Sequence, residues 1–173
     1  MRYYGFGNMY LSSLQQGLQN AHTIVEMYNE YTEEHYPAEF EFLTEWALEH
    51  KTMILLNGGY SENLRDLWRF LSSDENPYPF AKFNEGQDAL DGALTCVGVI
   101  LPRKIYEVAA IFRRDRPNNG PLLLDIIRAN GQVTFYNDNA YGVDVEPNSS
   151  ITYEFSDWEI ELMLELNKYG LAK

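Results

Sequence analysis

The run Ala93–Leu101, ALTCVGVIL, narrows the fold more than any other stretch of this chain. It is apolar and rich in β-branched residues, and Pro102 closes it, so it reads as a strand. A helical pattern follows at once, with Ile105, Val108, Ala109 and Phe112 as its stripe. A strand running straight into a helix sets the theme for the chain. Arg2–Phe6 is a short aromatic strand. Ser12 and Ser13 offer a cap, and Leu14, Leu18, Ala21, Val25 and Tyr28 recur at helical spacing, which predicts a helix from about Ser13 to Tyr31. Glu39–His50 predicts a second helix with Phe42 and Trp46 on one face. Thr52–Leu56 reads as a buried strand ending in the turn Asn57-Gly58-Gly59. Ser61 then caps a helix carrying Leu64, Leu67, Trp68 and Leu71. Phe80–Phe83 is a brief strand.

Asp115–Gly120, DRPNNG, reads as a boundary loop. Beyond it Leu122–Ile127 fits either a helix stopped at Gly131 or a hairpin arm turning at Asn130-Gly131. Gln132–Tyr136 and Ile151–Phe155 read as strands. Ser156 and Glu159 form a capping box for a helix with Trp158, Leu162 and Leu166 as its stripe, stopped at Gly170. With helices crossing between strands, the order implies a mixed sheet covered on both faces. At 173 residues the default is one domain with an appended subdomain.

Several function classes are disfavoured by the residues alone. No segment approaches the roughly 18 consecutive apolar residues of a membrane span. The start, MRYYGFGNMY, lacks the basic-then-apolar pattern of a signal peptide. A single cysteine, Cys96, excludes an internal disulfide framework and fits a reducing cytoplasm; inside its apolar run it reads as a buried, inert thiol. His22, His35 and His50 have no metal-ligand spacing, so no metal and no cofactor is expected. There is no phosphate-cradling loop and no serine nucleophile elbow. The net charge is −13, with 13 basic residues against 26 acidic ones. Such a chain repels nucleic acid as a whole and suits a basic partner protein or a small ligand held in a pocket. Among the carboxylates, Glu85, Asp88 and Asp91 stand apart, because they lie between two strands, where sites in open sheets form. An acidic solvated loop is the alternative.

The order of these signals resembles the type II peptidyl-tRNA hydrolase family. In that family an apolar strand leads to a loop with Asp-Leu and Met, then a helix of the form G-K-x-A-A-Q-x-x-H-A. Met1 to Tyr28 lies on this pattern without a gap: Arg2–Phe6 takes the strand, Asn8-Met9 the Asp-Leu, Leu11 the Met, Gln19 the glutamine and His22 the histidine. Trp46, Lys51–Leu56 and Leu64–Leu71 fall on the family's tryptophan helix end, strand and leucine-rich helix. Phe83 to Asp88 and Gly92 to Gly98 fall on its Q-D-A-G-x-T and P-G-S-x-T-V-L-G-I-G-P blocks, with one residue missing between them. The Phe-x-Glu, Asp, Leu-Thr version is similar to divergent phage-encoded members, which would put the protein in a host cytoplasm.

The resemblance covers residues 1–115 and implies a three-layer α/β core, a mixed four-stranded sheet with helices on both faces. Residues 116–173 match no pattern of that kind and are expected to form a C-terminal α+β extension packed on the core. By the same resemblance the substrate is the tRNA 3′ end bearing a peptidyl or related acyl ester, and the protein is a homodimer. His22, Asp88 and Thr95 would act as base, orienting carboxylate and donor to the developing oxyanion. Gln19, Asn8, Glu85 and Tyr10 would contact the ligand. Two catalytic positions depart from the family: its helix lysine falls on Gln15 and its loop aspartate on Asn84. Arg2, Lys51, Arg65, Arg69 and Lys82 are the basic residues available for phosphates. The competing expectation is a pocket on the same fold that binds or sequesters a nucleotide-like ligand, with Tyr3, Tyr4, Phe6 and Tyr10 stacking on a base or else serving as core. A third is an acidic decoy for a basic host protein.

Overall fold

The computed structural model describes residues 1–114 and 122–172. By contact the chain divides into two compact units, Met1–Pro102 with Tyr169–Lys173, and Arg103–Lys168. The boundary loop expected at Asp115–Gly120 lies outside the described residues.

The first unit is a mixed α/β body. Its strands are β1 (Arg2–Gly7), β2 (Met53–Asn57), β3 (Phe80–Asn84) and β4 (Leu94–Leu101). They form one sheet in the order β2-β1-β4-β3. β1 runs parallel to β2 and antiparallel to β4, and β4 is antiparallel to β3. β4 is buried along its whole length, as a central strand with both faces covered must be.

The helices are α1 (Ser13–Glu30), α2 (Pro37–Glu45), α3 (Ser61–Leu71) and a single turn, α4 (Gln87–Leu90). Pairing sets the faces. Tyr3, Gly5 and Gly7 lie opposite Ile100, Gly98 and Cys96. Tyr3 and Ile100 share a core with Met27 of α1, Leu43 of α2 and Trp46. The other face turns to α3, where Trp68 packs against Phe80 with ring centroids 5.0 Å apart and lies 4.6 Å from the Lys82 ammonium. Helices therefore cover both faces of the sheet.

The predicted second helix is broken by its own packing. α2 ends at Glu45 and continues as a π-turn, Trp46–His50. The wider turn lets the Trp46 indole donate to Thr52 O at 3.1 Å while its ring meets Tyr3 at 5.8 Å. Thr52–Leu56 is not the buried strand that its composition suggests. β2 is an edge strand, with Met53 41 % exposed. The chain end covers part of that edge: Asn57 N donates to Gly170 O, Ala172 N donates to Leu55 O, and Tyr169 packs edge-on to Phe6 at 4.8 Å. Gly170 thus serves the edge and does not stop a helix. Deleting residues 169–173 is expected to cost about 2 kcal/mol from two hydrogen bonds and one ring. The Asn57 amide should then exchange freely; full protection in the truncated chain would remove this role.

In the second unit, helices α5 (Arg103–Arg114), α6 (Leu123–Asn130) and α7 (Asp157–Leu166) accompany a two-stranded antiparallel ribbon of β5 (Gln132–Tyr136) and β6 (Ser150–Glu154). The ambiguous Leu122–Ile127 run is helical. Gly131, at φ 68°, supplies its left-handed cap, a conformation that costs glycine little. The α7 capping box forms as read: Glu159 N donates to Ser156 Oγ, and Ser156 N donates to Glu159 Oε2. Glu159 also pairs with Lys104 Nζ at 2.8 Å, which neutralises a carboxylate that is only 5 % exposed. The helix ends at Leu166 with Asn167 as its cap. Among the described residues, no helix is long and apolar enough to cross a membrane.

Candidate functional site

The β1–α1 loop begins where β1 ends, and Asn8 organises it. Its side chain is buried; its amide donates to Ser61 Oγ at 3.0 Å and Leu94 O at 3.3 Å, and its Oδ1 accepts from Tyr10 N at 3.1 Å. Met9 N reaches Gly59 O at 2.8 Å. The loops after β1 and β2 are thereby tied together. Ser61 is consumed in this tie, also donating to Leu94 O, and does not cap α3 as expected. Tyr60 is the cap residue, and its N–H donates to Asn63 Oδ1 at 3.0 Å. Above the tie, the Tyr10 and Tyr60 rings meet at 5.0 Å and are 80 % and 48 % exposed.

β1 and β2 are parallel neighbours, and the helices that follow them lie on opposite faces. In open sheets such a divergence leaves a crevice at the carboxyl ends of the strands. The N-termini of α1 and α3 both open at that end, and unsatisfied N–H groups there favour anions. No Asp, Glu, Lys or Arg occurs from Tyr3 to Val25, nor from Thr52 to Ser61, while Glu62 lies in the first turn of α3.

Most of the expected catalytic residues are engaged in structural contacts. Gln15 is the third residue of the α1 capping box, its Oε1 accepting from Ser12 N at 3.0 Å and Ser12 Oγ at 2.9 Å. The position where the resembled family has lysine is thus occupied by a cap. The Asn84 amide donates to Gly92 O at 2.9 Å, closing the β3–β4 loop. Thr95 is buried, and its hydroxyl donates to Phe83 O at 3.4 Å. Asp88 is exposed in the first turn of α4. His22 is exposed and stacks on Phe83 at 4.6 Å with 15° between the rings. The Cys96 thiol is fully buried, and burial pushes it up to about 12, so it is no nucleophile at neutral pH.

One pair does come together across the unit: Gln19 Nε2 donates to Glu85 Oε1, beside the His22–Phe83 stack. Two further atoms belong to this end of α1. The Oε1 atoms of Gln16 and Gln19 are buried without a hydrogen-bond partner, although Gln16 Nε2 donates to Leu11 O at 3.0 Å. A buried acceptor left open is uncommon in a folded protein and calls for a donor. Sequence reasoning passed over Gln16 because the apolar stripe drew attention to the other face of the helix. The available signal was Gly7: a Cβ there would lie 2.8 Å from Gln16 Oε1, so the strand makes room for this amide.

No protein-family model matches the chain, and no curated protein matches it either.

The basic residues do not converge. Arg2 and Lys51 sit at the amino ends of β1 and β2, away from the Tyr10–Tyr60 end. Arg69 is paired with Asp66, and Lys82 lies over Trp68. Among the described residues, no group of three His, Cys, Asp or Glu side chains is disposed to hold a metal.

Proposed function

We propose that the first unit binds a small nucleotide-like anion at the carboxyl end of β1 and β2, on a fold of the type II peptidyl-tRNA hydrolase kind. What supports this is that the N-termini of α1 and α3 lie at the same end of the parallel strands β1 and β2, beside the exposed Tyr10 and Tyr60. Phosphate oxygens would meet the helix N–H groups, and a base would stack on Tyr10 or Tyr60. The chemistry is shared by the terminal adenosine of tRNA and a free nucleotide. The divided basic residues and the −13 charge favour the free nucleotide, since a polyanion needs a convergent basic surface.

Ester hydrolysis is the second reading, and the Gln19–Glu85 bond beside His22 is what favours it. Against it, Gln15, Asn84 and Thr95 are engaged structurally. Two measurements separate the readings. Adenosine monophosphate should bind saturably by calorimetry, and Tyr10→Ala with Tyr60→Ala should weaken it about tenfold, the worth of one stacked base. Release of deacylated tRNA from peptidyl-tRNA should be absent. Turnover abolished by His22→Ala would replace the binding reading with the enzymatic one.

The outer face of α1 is part of the same proposal. Leu14, Leu18 and Val25 are 76 %, 54 % and 55 % exposed on the side away from the sheet, and we assign this stripe to contact with a second copy of the chain.

A further inference from the structure

A groove of about 620 Å³ lies in the second unit, apart from the crevice described above. All five residues of β5, Gln132 to Tyr136, line it. Successive side chains of a strand point to opposite faces. A cavity that touches five in a row therefore runs along the strand's edge, not over one face. β5 pairs only with β6 among the described residues, so its other edge has no strand partner there, although the Tyr136 carbonyl accepts from Asn139. Leu123 and Ile126 of α6 form an apolar wall, and Asp138 and the exposed Tyr136 stand at one end.

Charge selects the occupant. No lysine or arginine lies between Arg128 and Lys168, while carboxylates recur from Asp138 to Glu165. Among the described residues, the one charged side chain in the groove lining is Asp138. We propose that this groove takes an extended, basic peptide segment of a partner protein, which adds to β5 as a third strand. Main-chain hydrogen bonds to the β5 edge supply affinity. Alternate apolar side chains of the segment face Leu123 and Ile126, and its lysines or arginines face Asp138. The acidic balance of the whole chain then brings such a partner in, and the strand edge holds it.

The test is calorimetric titration of the whole protein with a short capped peptide of alternating lysine and valine. Two companions go with it: the same peptide with glutamate for lysine, and the same peptide N-methylated at alternate residues to remove the pairing amides. The lysine peptide should bind saturably, the N-methylated one about tenfold more weakly, and the glutamate one not at all. Asp138→Lys should weaken the lysine peptide at least threefold more than Glu41→Lys, which changes the net charge equally on an exposed part of the first unit. Both positions are exposed, so neither variant endangers folding. Absence of saturable binding, equal binding of the N-methylated peptide, or equal effects of the two variants would each overturn the proposal.

Discussion

Replacing Gly98 by alanine should lower the melting temperature by about 6–12 °C, corresponding to roughly 3 kcal/mol in a chain of this size. Gly98 pairs with Gly5 across β1 and β4, and the Tyr3 side chain lies over both. A Cβ on Gly98 would sit 2.4 Å from the Tyr3 hydroxyl oxygen and 2.7 Å from two ring carbons. A Cβ on Gly5 would sit 1.4 Å from Asn20 Oδ1. The two glycines therefore open a slot in the sheet for a buried polar pair, in which the Tyr3 hydroxyl donates to Asn20 Oδ1 at 2.9 Å and the Asn20 amide donates to Gln16 O at 2.7 Å. Tyr3 and Asn20 are fully buried, so neither side chain can swing aside. Chemical denaturation of a double-mutant cycle isolates the clash. In a Tyr3→Leu background, Gly98→Ala should cost less than about 1 kcal/mol, because ring and hydroxyl are gone. Equal costs in both backgrounds would mean that the slot is not what the glycines provide.

Tyr3 and Cys96 give the first unit a limit at high pH. Burial raises the Tyr3 phenol well above its ordinary value and raises Cys96 to about 12. Both groups stay neutral in the folded chain while the unfolded chain ionises first. Their contribution is therefore complete below the ordinary thiol and phenol range and is lost as pH climbs from there through the raised values of the folded chain.

Local signals made much of this fold readable. β4 announces itself because a central strand needs no polar face, so composition alone specifies it. The Ser156/Glu159 box is a pattern of adjacent residues, and it forms as written. The Asn57-Gly58-Gly59 turn and the Gly131 cap depend on backbone preferences that are local too. What was not legible depends on partners distant in sequence. Thr52–Leu56 has the composition of a buried strand, yet it sits at an edge completed only by residues about 115 positions later. Ser61 has the sequence of an N-cap, but Asn8 and Leu94 claim its hydroxyl. At the site, Gln19 and Glu85 come together across 66 positions, while Gln15, chosen for its place in a motif, is taken by a local cap. Motif order directed attention to α1 and the β3–β4 loop. The hydrogen bonds decided which of their groups are free to act.

Leu18→Glu should leave the fold intact and convert a dimer to a monomer, with the dissociation constant raised at least a hundredfold. Periodicity finds a helix at α1 but assigns its faces backwards. The residues that meet the sheet are Gln16, Asn20, Thr23 and Met27; Leu14, Leu18, Ala21, Val25 and Tyr28 point away. Polar groups face the core here because Tyr3 and the strand backbone supply their partners. The outward stripe has no such reason within its own unit. A second copy is the partner that charge permits: the chain carries −13, so two copies repel except where ionised side chains are absent, and α1 has none from Ser13 to Val25. A two-fold axis would set Leu14, Leu18, Ala21 and Val25, spaced three or four apart, against their equivalents. Gly17, beside the stripe, has open space around its Cβ position and lets the backbones approach. A glutamate at position 18 would put two carboxylates at the centre of that contact, and burying them unpaired accounts for the size of the effect. Sedimentation over a range of concentrations measures it, and melting of the variant checks that the fold is unharmed. Asn20→Leu supplies the converse. It looks like an improvement to an amphipathic helix, but it strands the Tyr3 hydroxyl in the core and should cost about 2–3 kcal/mol without changing the mass. A wild-type protein that stays monomeric at high concentration would refute the second copy as the cover for this stripe.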